Sequence, residues 1–182
     1  CNITQGEFQQ MQIANKPDTT KEQYLDVIGK KTAELFGASC ESGIIVANGS
    51  FVEQKAAYNY GFNLGLAFQI IDDLMDFNAQ SKEMGKNLGD DFKLGKTTLP
   101  IILAWEKSNE SEKQFWNKTL KELKQDTNDF DKALTIFHKY NIFEACKTKA
   151  EEFISKSKIS LDQLPNTKFK EHLIGLANES IQ

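Results

Sequence analysis

Apolar residues recur at offsets of three and four through most of this chain, the spacing that gathers side chains on one face of an α-helix. The pattern predicts helices over 20–39, 41–48, 51–77, 98–107, 110–124, 129–139, 142–161 and 167–180. No apolar–polar alternation persists long enough to predict a strand. Phe130, Ala133, Leu134 and Phe137 form one stripe, and Phe169, Leu173, Leu176 and Ala177 form another; both are expected to face a core. The stretch 107–132 is rich in Lys, Glu, Asp and Asn and is expected to form the exposed side. Pro17, Pro100 and Pro165 each stand beside a predicted helix boundary. Thr19 or Thr20 followed three residues on by Glu22 or Gln23, and Ser50 followed by Glu53, read as capping boxes. From Ser50 the chain can run as one helix to Phe77, roughly 40 Å at 1.5 Å per residue. Inside it Gly61 and Gly65 each cost about 1 kcal/mol relative to alanine. Their spacing predicts close approach of a neighbouring helix, with room for an apolar ligand tail as the alternative. The fold class is all-α, a helical bundle.

The end of that long helix reads Phe68-Gln69-Ile70-Ile71-Asp72-Asp73-Leu74-Met75-Asp76-Phe77. Carboxylates are poorly suited to this place: Asp has low helix propensity, Asp72 and Asp76 repel at i,i+4, and a helix C-terminus carries partial negative charge. A cation must offset them. Offsets of three and four put Gln69, Asp72, Asp73 and Asp76 on one stripe. Hard divalent ions such as Mg2+ take oxygen ligands and bind through one or two carboxylates together with substrate phosphates, a role these aspartates suit. A solvated acidic helix end is the plainer alternative.

Downstream, glycine alternates with lysine and acid: Gly85-Lys86, Gly89, Asp90-Asp91 and Gly95-Lys96-Thr97-Thr98-Leu99-Pro100. Lys86 and Lys96 can bring charge to phosphate oxygens, and the glycines let the backbone turn tightly. Neither the Walker A spacing nor a G-x-G-x-x-G fingerprint occurs. A connection of about twenty residues is long for a helical bundle and points to function or disorder. Upstream, Lys30-Lys31-Thr32 sits within an amphipathic helix, where lysines usually face solvent.

Four segments of the chain carry a resemblance. G-E-F-Q-Q-M at 6–11, Y-L-D-V-I-G-K-K-T-A-E-L-F at 24–36, G-F-N-L-G-L-A-F-Q-I-I-D-D-L-M-D-F at 61–77 and G-K-N-L-G-D-D-F-K-L-G-K-T-T-L-P at 85–100 resemble the trans-isoprenyl diphosphate synthases, or polyprenyl synthetases, in order and spacing. The tail to Gln182 agrees only in helical character.

The resemblance implies a bundle of the isoprenoid (terpenoid) synthase type and a prenyltransferase. Such an enzyme ionises an allylic diphosphate, adds isopentenyl diphosphate to the cation and releases a proton, lengthening a linear all-trans chain by five carbons per cycle. It implies Mg2+ as cofactor, with Asp72, Asp73 and Asp76 as the second aspartate-rich motif and Asp72 the foremost direct ligand. Lys31, Lys86 and Lys96 correspond to lysines that grip the diphosphate, and Thr32 and Gln69 to polar residues beside the allylic end. A homodimer is the expected assembly.

The chain departs from that family in lacking a first aspartate-rich motif with its paired arginines. Its only Asp-Asp pairs are Asp72-Asp73 and Asp90-Asp91, and its 22 basic residues are all lysine. Residues 1–182 are therefore expected to be the C-terminal portion of a single polyprenyl synthetase domain, inactive or nearly so alone. The start at Cys1, without Met, is expected to reflect truncation or proteolysis.

Composition narrows the partners further. A formal charge of -4 and dispersed lysines argue against nucleic acid. Cys1, Cys40 and Cys146 are odd in number and show no C-x-x-C spacing, favouring reduced thiols and a cytoplasmic setting, with Cys40 in a helix core. No apolar run reaches the roughly 18 residues of a membrane span. Greasy substrates leave peripheral membrane contact for product release open. His138 and His172, lone on amphipathic helices, are expected at the surface. Two other functions stay in view: a class I terpene cyclase, which the 85–100 segment disfavours, and a non-catalytic regulatory subunit of the same fold.

Overall fold

The computed structural model describes residues 2–78 and 88–181, and among them every regular element is helical. The helices are α1 (Asn2–Ile13), α2 (Lys21–Ile28), α3 (Glu34–Val46), α4 (Phe51–Met75), α5 (Asp90–Lys93), α6 (Leu99–Lys107), α7 (Glu110–Trp116), α8 (Asp129–Lys139), α9 (Ile142–Ser160) and α10 (Lys168–Glu179). A π-helical turn, Gly29–Ala33, joins α2 to α3, so the predicted break near residue 40 does not exist. A second π-turn, Asn117–Lys121, extends α7. Helices α1 and α5 lie outside the predicted set. α1 carries only a weak apolar stripe, and α5 is a single turn started by Gly89 in the left-handed region, φ 76°.

The predicted helix starts hold. Thr20 and Gln23 exchange hydrogen bonds of 2.9 and 3.2 Å ahead of α2, and Ser50 and Glu53 do the same at 2.7 and 3.3 Å ahead of α4. Helix α4 stops at Met75, two residues short of the prediction, and Asp76 belongs to the turn that follows.

The chain forms two compact units. The first comprises Cys1–Glu7, Asp26–Gln69 and Lys147–Gln182. Its centre is the α3–α4 contact. A Cβ on Gly61 would fall onto the Phe36 carbonyl and 2.8 Å from Cys40 Sγ, and one on Gly65 would lie 2.8 Å from Ala33 Cα. The two glycines thus serve helix packing, which rejects the ligand-tail alternative at these positions. The Phe36 and Phe68 rings meet at 5.6 Å between centroids. Ser157 Oγ donates to the Tyr60 carbonyl at 3.0 Å, and Tyr60 Oη donates to the Leu173 carbonyl at 2.8 Å, fastening α9 and α10 to α4. The last predicted stripe is only partly buried. Ala177 is fully covered, but Phe169 and Leu176 are 77% and 52% exposed, so α10 turns only part of its stripe inward. Cys40 is half-buried, short of the helix-core place expected of it, and Cys146, in the second unit, is fully buried.

The second unit comprises Phe8–Leu25 and Ile70–Cys146. Its core is aromatic: Phe77 packs on Phe130 and Phe137 at 5.9 and 4.9 Å, and Phe92 meets Phe130 at 5.8 Å. Trp116 and Leu120 are fully buried, so the polar stretch 107–132 is amphipathic and not simply an exposed side. Trp116 Nε1 donates to Ser108 Oγ at 2.9 Å, satisfying its buried polar atom. Gly95, at φ 67°, accepts from the Asn15 backbone N–H at 2.9 Å and holds the turn before α6 in place.

Candidate active site

In the second unit the acidic end of α4 is built as a carboxylate cluster with one ammonium inside it. Asp73 is buried, and its Oδ2 accepts a 2.7 Å hydrogen bond from the buried phenol of Tyr24 on α2. Asp76 accepts from the Asp91 backbone N–H at 3.1 Å, and its own carbonyl accepts from Gly89 N–H at 2.9 Å. It therefore caps α5 instead of extending α4. Burial and the Asp91 charge raise the Asp76 pKa, while the N–H groups of Asp91, Phe92 and Asp90 oppose the rise. Asp72 is half-buried on α4.

Lys96 pairs with Asp91 through a short hydrogen bond. Its burial favours the neutral amine, yet the hydrogen bond and charge of Asp91, with the charges of Asp73 and Asp76, outweigh burial and raise the pKa. Lys96 is thus a cation that offsets the misplaced acids. Burial, then the Asp73 charge, pushes the Tyr24 phenol well above its ordinary value and the Cys146 thiol up to about 12, so both stay protonated beside that carboxylate.

The first unit carries the other polar residues. Lys31 and Thr32 lie in the π-turn Gly29–Ala33, a helical irregularity common at functional positions. Thr32 Oγ1 donates to Gln69 Oε1 at 2.8 Å. Lys31 Nζ stands 3.5 Å from Glu7, and α1 approaches so closely that a Cβ on Gly6 would sit 2.8 Å from Lys31 Cα. Lys30, in the same π-turn, pairs instead with Asp26 on α2 at 2.7 Å. Lys86 lies outside the described residues.

The structure thus gathers Asp73, Asp76 and Lys96 in one unit and Thr32 and Gln69 in the other. Sequence reading assigned no role to Tyr24, Asp91 or Glu7. Tyr24 and Asp91 lie inside the segments at 24–36 and 85–100, but their importance comes from partners 49 and 5 residues away, which spacing alone does not announce. Among the described residues no group of three or more His, Cys, Asp or Glu side chains is arranged to hold a metal by itself. The donor set nonetheless fits a hard ion of the Mg2+ class, which takes one or two carboxylates and completes its shell with water and phosphate. Asp72 would hold it directly, with Asp73 and Asp76 acting partly through water, and the cluster is negative enough to raise a half-buried lysine's pKa.

The polyprenyl synthetase family model matches residues 1–137. The chain belongs to the polyprenyl synthetase family. Among curated polyprenyl synthetase relatives, the octaprenyl diphosphate synthase of Escherichia coli K12 is 38% identical over 99% of this chain and 55% of its own length. The geranylgeranyl diphosphate synthase of Sulfolobus acidocaldarius is 32% identical over 89% of this chain and 49% of its own. Of solved structures, a decaprenyl diphosphate synthase from Rhodobacter capsulatus superposes with a TM-score of 0.93 at 36% identity, covering 99% of this chain and 55% of that one. A polyprenyl synthase from Caulobacter crescentus, complexed with calcium and isoprenyl diphosphate, gives 0.94 at 34% identity with the same coverage. The chain spans about half the length of these relatives. The all-α isoprenoid synthase fold expected from the sequence is the fold observed.

Proposed function

We propose that this chain is the C-terminal portion of a single polyprenyl synthetase domain. The whole enzyme elongates an allylic diphosphate with isopentenyl diphosphate to a linear all-trans polyprenyl diphosphate in a Mg2+-dependent reaction, as a homodimer. The observation that carries this reading is the cluster at the end of α4. Several carboxylates are kept where helix electrostatics disfavour them, with Lys96 beside them. A scaffold has no use for that arrangement; a site that must hold a diphosphate and its counter-ions does.

The chemistry is a substitution at an allylic carbon. The bond from that carbon to the diphosphate oxygen breaks, and both electrons leave with the diphosphate. The π electrons of isopentenyl diphosphate form the new carbon–carbon bond, and loss of a proton from the adjacent carbon restores a double bond. When bound, Mg2+ supplies positive charge against the departing diphosphate. Lys96, in the second unit, exchanges Asp91 for a phosphate oxygen, and the family resemblance adds Lys31 and Lys86 as lysines that grip diphosphate. Preorganised cations of this kind are stronger than water at stabilising charge as it develops. Thr32 fixes the Gln69 side chain through Oε1, and the family resemblance makes the pair the polar residues beside the allylic end. Asp72 is the direct ligand, with Asp73 and Asp76 acting partly through water. The Caulobacter structure is complexed with calcium and isoprenyl diphosphate, which supports a divalent ion and a prenyl diphosphate as what such a site takes.

The deciding experiment incubates the full-length protein with an allylic diphosphate, labelled isopentenyl diphosphate and Mg2+. Linear products growing in five-carbon steps, abolished by a chelator, are expected. Cyclic hydrocarbons from the allylic diphosphate alone would replace this reading with a cyclase, and no turnover at all with a non-catalytic subunit.

A further inference from the structure

We propose that Tyr24 is a positioning residue for the acidic end of α4: its phenol holds Asp73 so that Asp72 presents its carboxylate to the metal–diphosphate group. This deepens the function proposed above and rests on it.

Tyr24 is 2% exposed and Asp73 6%, and the 2.7 Å bond between them joins α2 to the last turns of α4. A buried carboxylate needs a donor, since an unpaired one costs several kcal/mol. A phenol provides a donor without adding charge, so it satisfies Asp73 while leaving the net negative charge of the cluster intact. A lysine in its place would cancel that charge and compete with the metal. The bond also sets the rotation of α4 about its axis, because Asp73 cannot keep Tyr24 as a partner if the helix turns. Asp72 is the next residue on the same helix, so its direction is set with that of Asp73. Without the phenol, Lys96, whose charge already reaches Asp73 and Asp76, is a group that can answer Asp73. Recruiting it would draw an ammonium from the phosphate and neutralise a carboxylate at once. Groups that orient ligands of a metal in this way are worth about 10–100-fold in its affinity.

The test compares Tyr24→Phe with Tyr60→Phe in the full-length enzyme. Tyr60 is an equally buried tyrosine whose hydroxyl only ties α4 to the Leu173 carbonyl. Calorimetry with a non-hydrolysable allylic thiolodiphosphate across a Mg2+ series reads affinity without turnover, and thermal melting reads stability. Tyr24→Phe is expected to raise the Mg2+ concentration at half-maximal binding about 10-fold. High Mg2+ should restore binding and kcat, which it would not do for a folding defect. Tyr60→Phe is expected to lower the melting temperature and leave the Mg2+ midpoint in place. A Tyr24→Phe midpoint within about twofold of the wild type, or identical behaviour of the two variants, would overturn the positioning role. A wild-type enzyme with no Mg2+-dependent affinity would instead overturn the proposed function itself.

Discussion

Lys96 donates to Asp91, five residues before it, while the Asp91 backbone N–H donates to Asp76 at 3.1 Å. One residue thus links the lysine proposed to bind phosphate to the last of the motif's three aspartates. The relationship holds one ammonium against the carboxylates and leaves the cluster negative overall.

Lys96→Ala is accordingly expected to have two effects. Allylic diphosphate binding weakens, read as a rise in KM, and stability falls by up to about 1 kcal/mol, because Asp73, Asp76 and Asp91 lose a counter-charge that is itself partly solvent-screened. Steady-state kinetics and urea denaturation measure the two separately.

Asp72→Ala should show the opposite pairing. Turnover of the full-length enzyme is expected to drop by roughly 10²–10³-fold, the scale of losing one group that stabilises developing charge. The urea midpoint should stay put or rise slightly, since a carboxylate leaves a helix C-terminus. An unchanged rate would count heavily against Asp72 as a ligand.

Helix packing can be probed without touching the site. Gly61→Ala is expected to destabilise by about 1–3 kcal/mol, because its Cβ would strike the Phe36 carbonyl, a backbone atom that cannot swing away. Gly43→Ala, on α3 with nothing within 4 Å of its Cβ, should stabilise by about 0.5–1 kcal/mol. Chemical denaturation of the pair checks the sign of each.

Glu112 supplies a pH-dependent contribution. It completes a capping box with Asn109, receives Lys139 at 2.7 Å and the Tyr140 hydroxyl at 2.8 Å. Burial raises its pKa, but Lys139, Asn109 and Tyr140 prevail and hold it below the ordinary 4.5. Because the folded value is depressed, this stabilisation is present above the ordinary value and fades as pH falls through the folded one. Glu112→Gln should therefore be less stable by about 1 kcal/mol at neutral pH, with the gap closing below pH 4.5. Thermal melts of both proteins from pH 7 to 3 measure it.

The legible part of the fold was the part governed by local chemistry. Ser50 and Glu53 begin α4, Thr20 and Gln23 begin α2, and the 3.6-residue period carries most of the helices, because these signals depend on neighbours a turn away. The errors arose where distant contacts override local preference. Apolar spacing marked Phe169 as core, yet burial requires a partner surface, and α10 meets its neighbours through other residues. Asp76 looked like one more member of a helical stripe until its carboxylate was found capping α5.

The amino-acid sequence by itself determined that this is a helical protein with acidic groups concentrated at one helix end and lysines placed to answer them. Periodicity and charge are properties of the order of residues alone. Only the tertiary structure decided that Asp73 answers to Tyr24, that Lys96 rests on Asp91 and that Thr32 secures Gln69. Two of these three bonds join residues 37 or 49 positions apart. A hydrogen bond acts over about 3 Å, so its partner is set by how helices pack and not by how the chain is spelled.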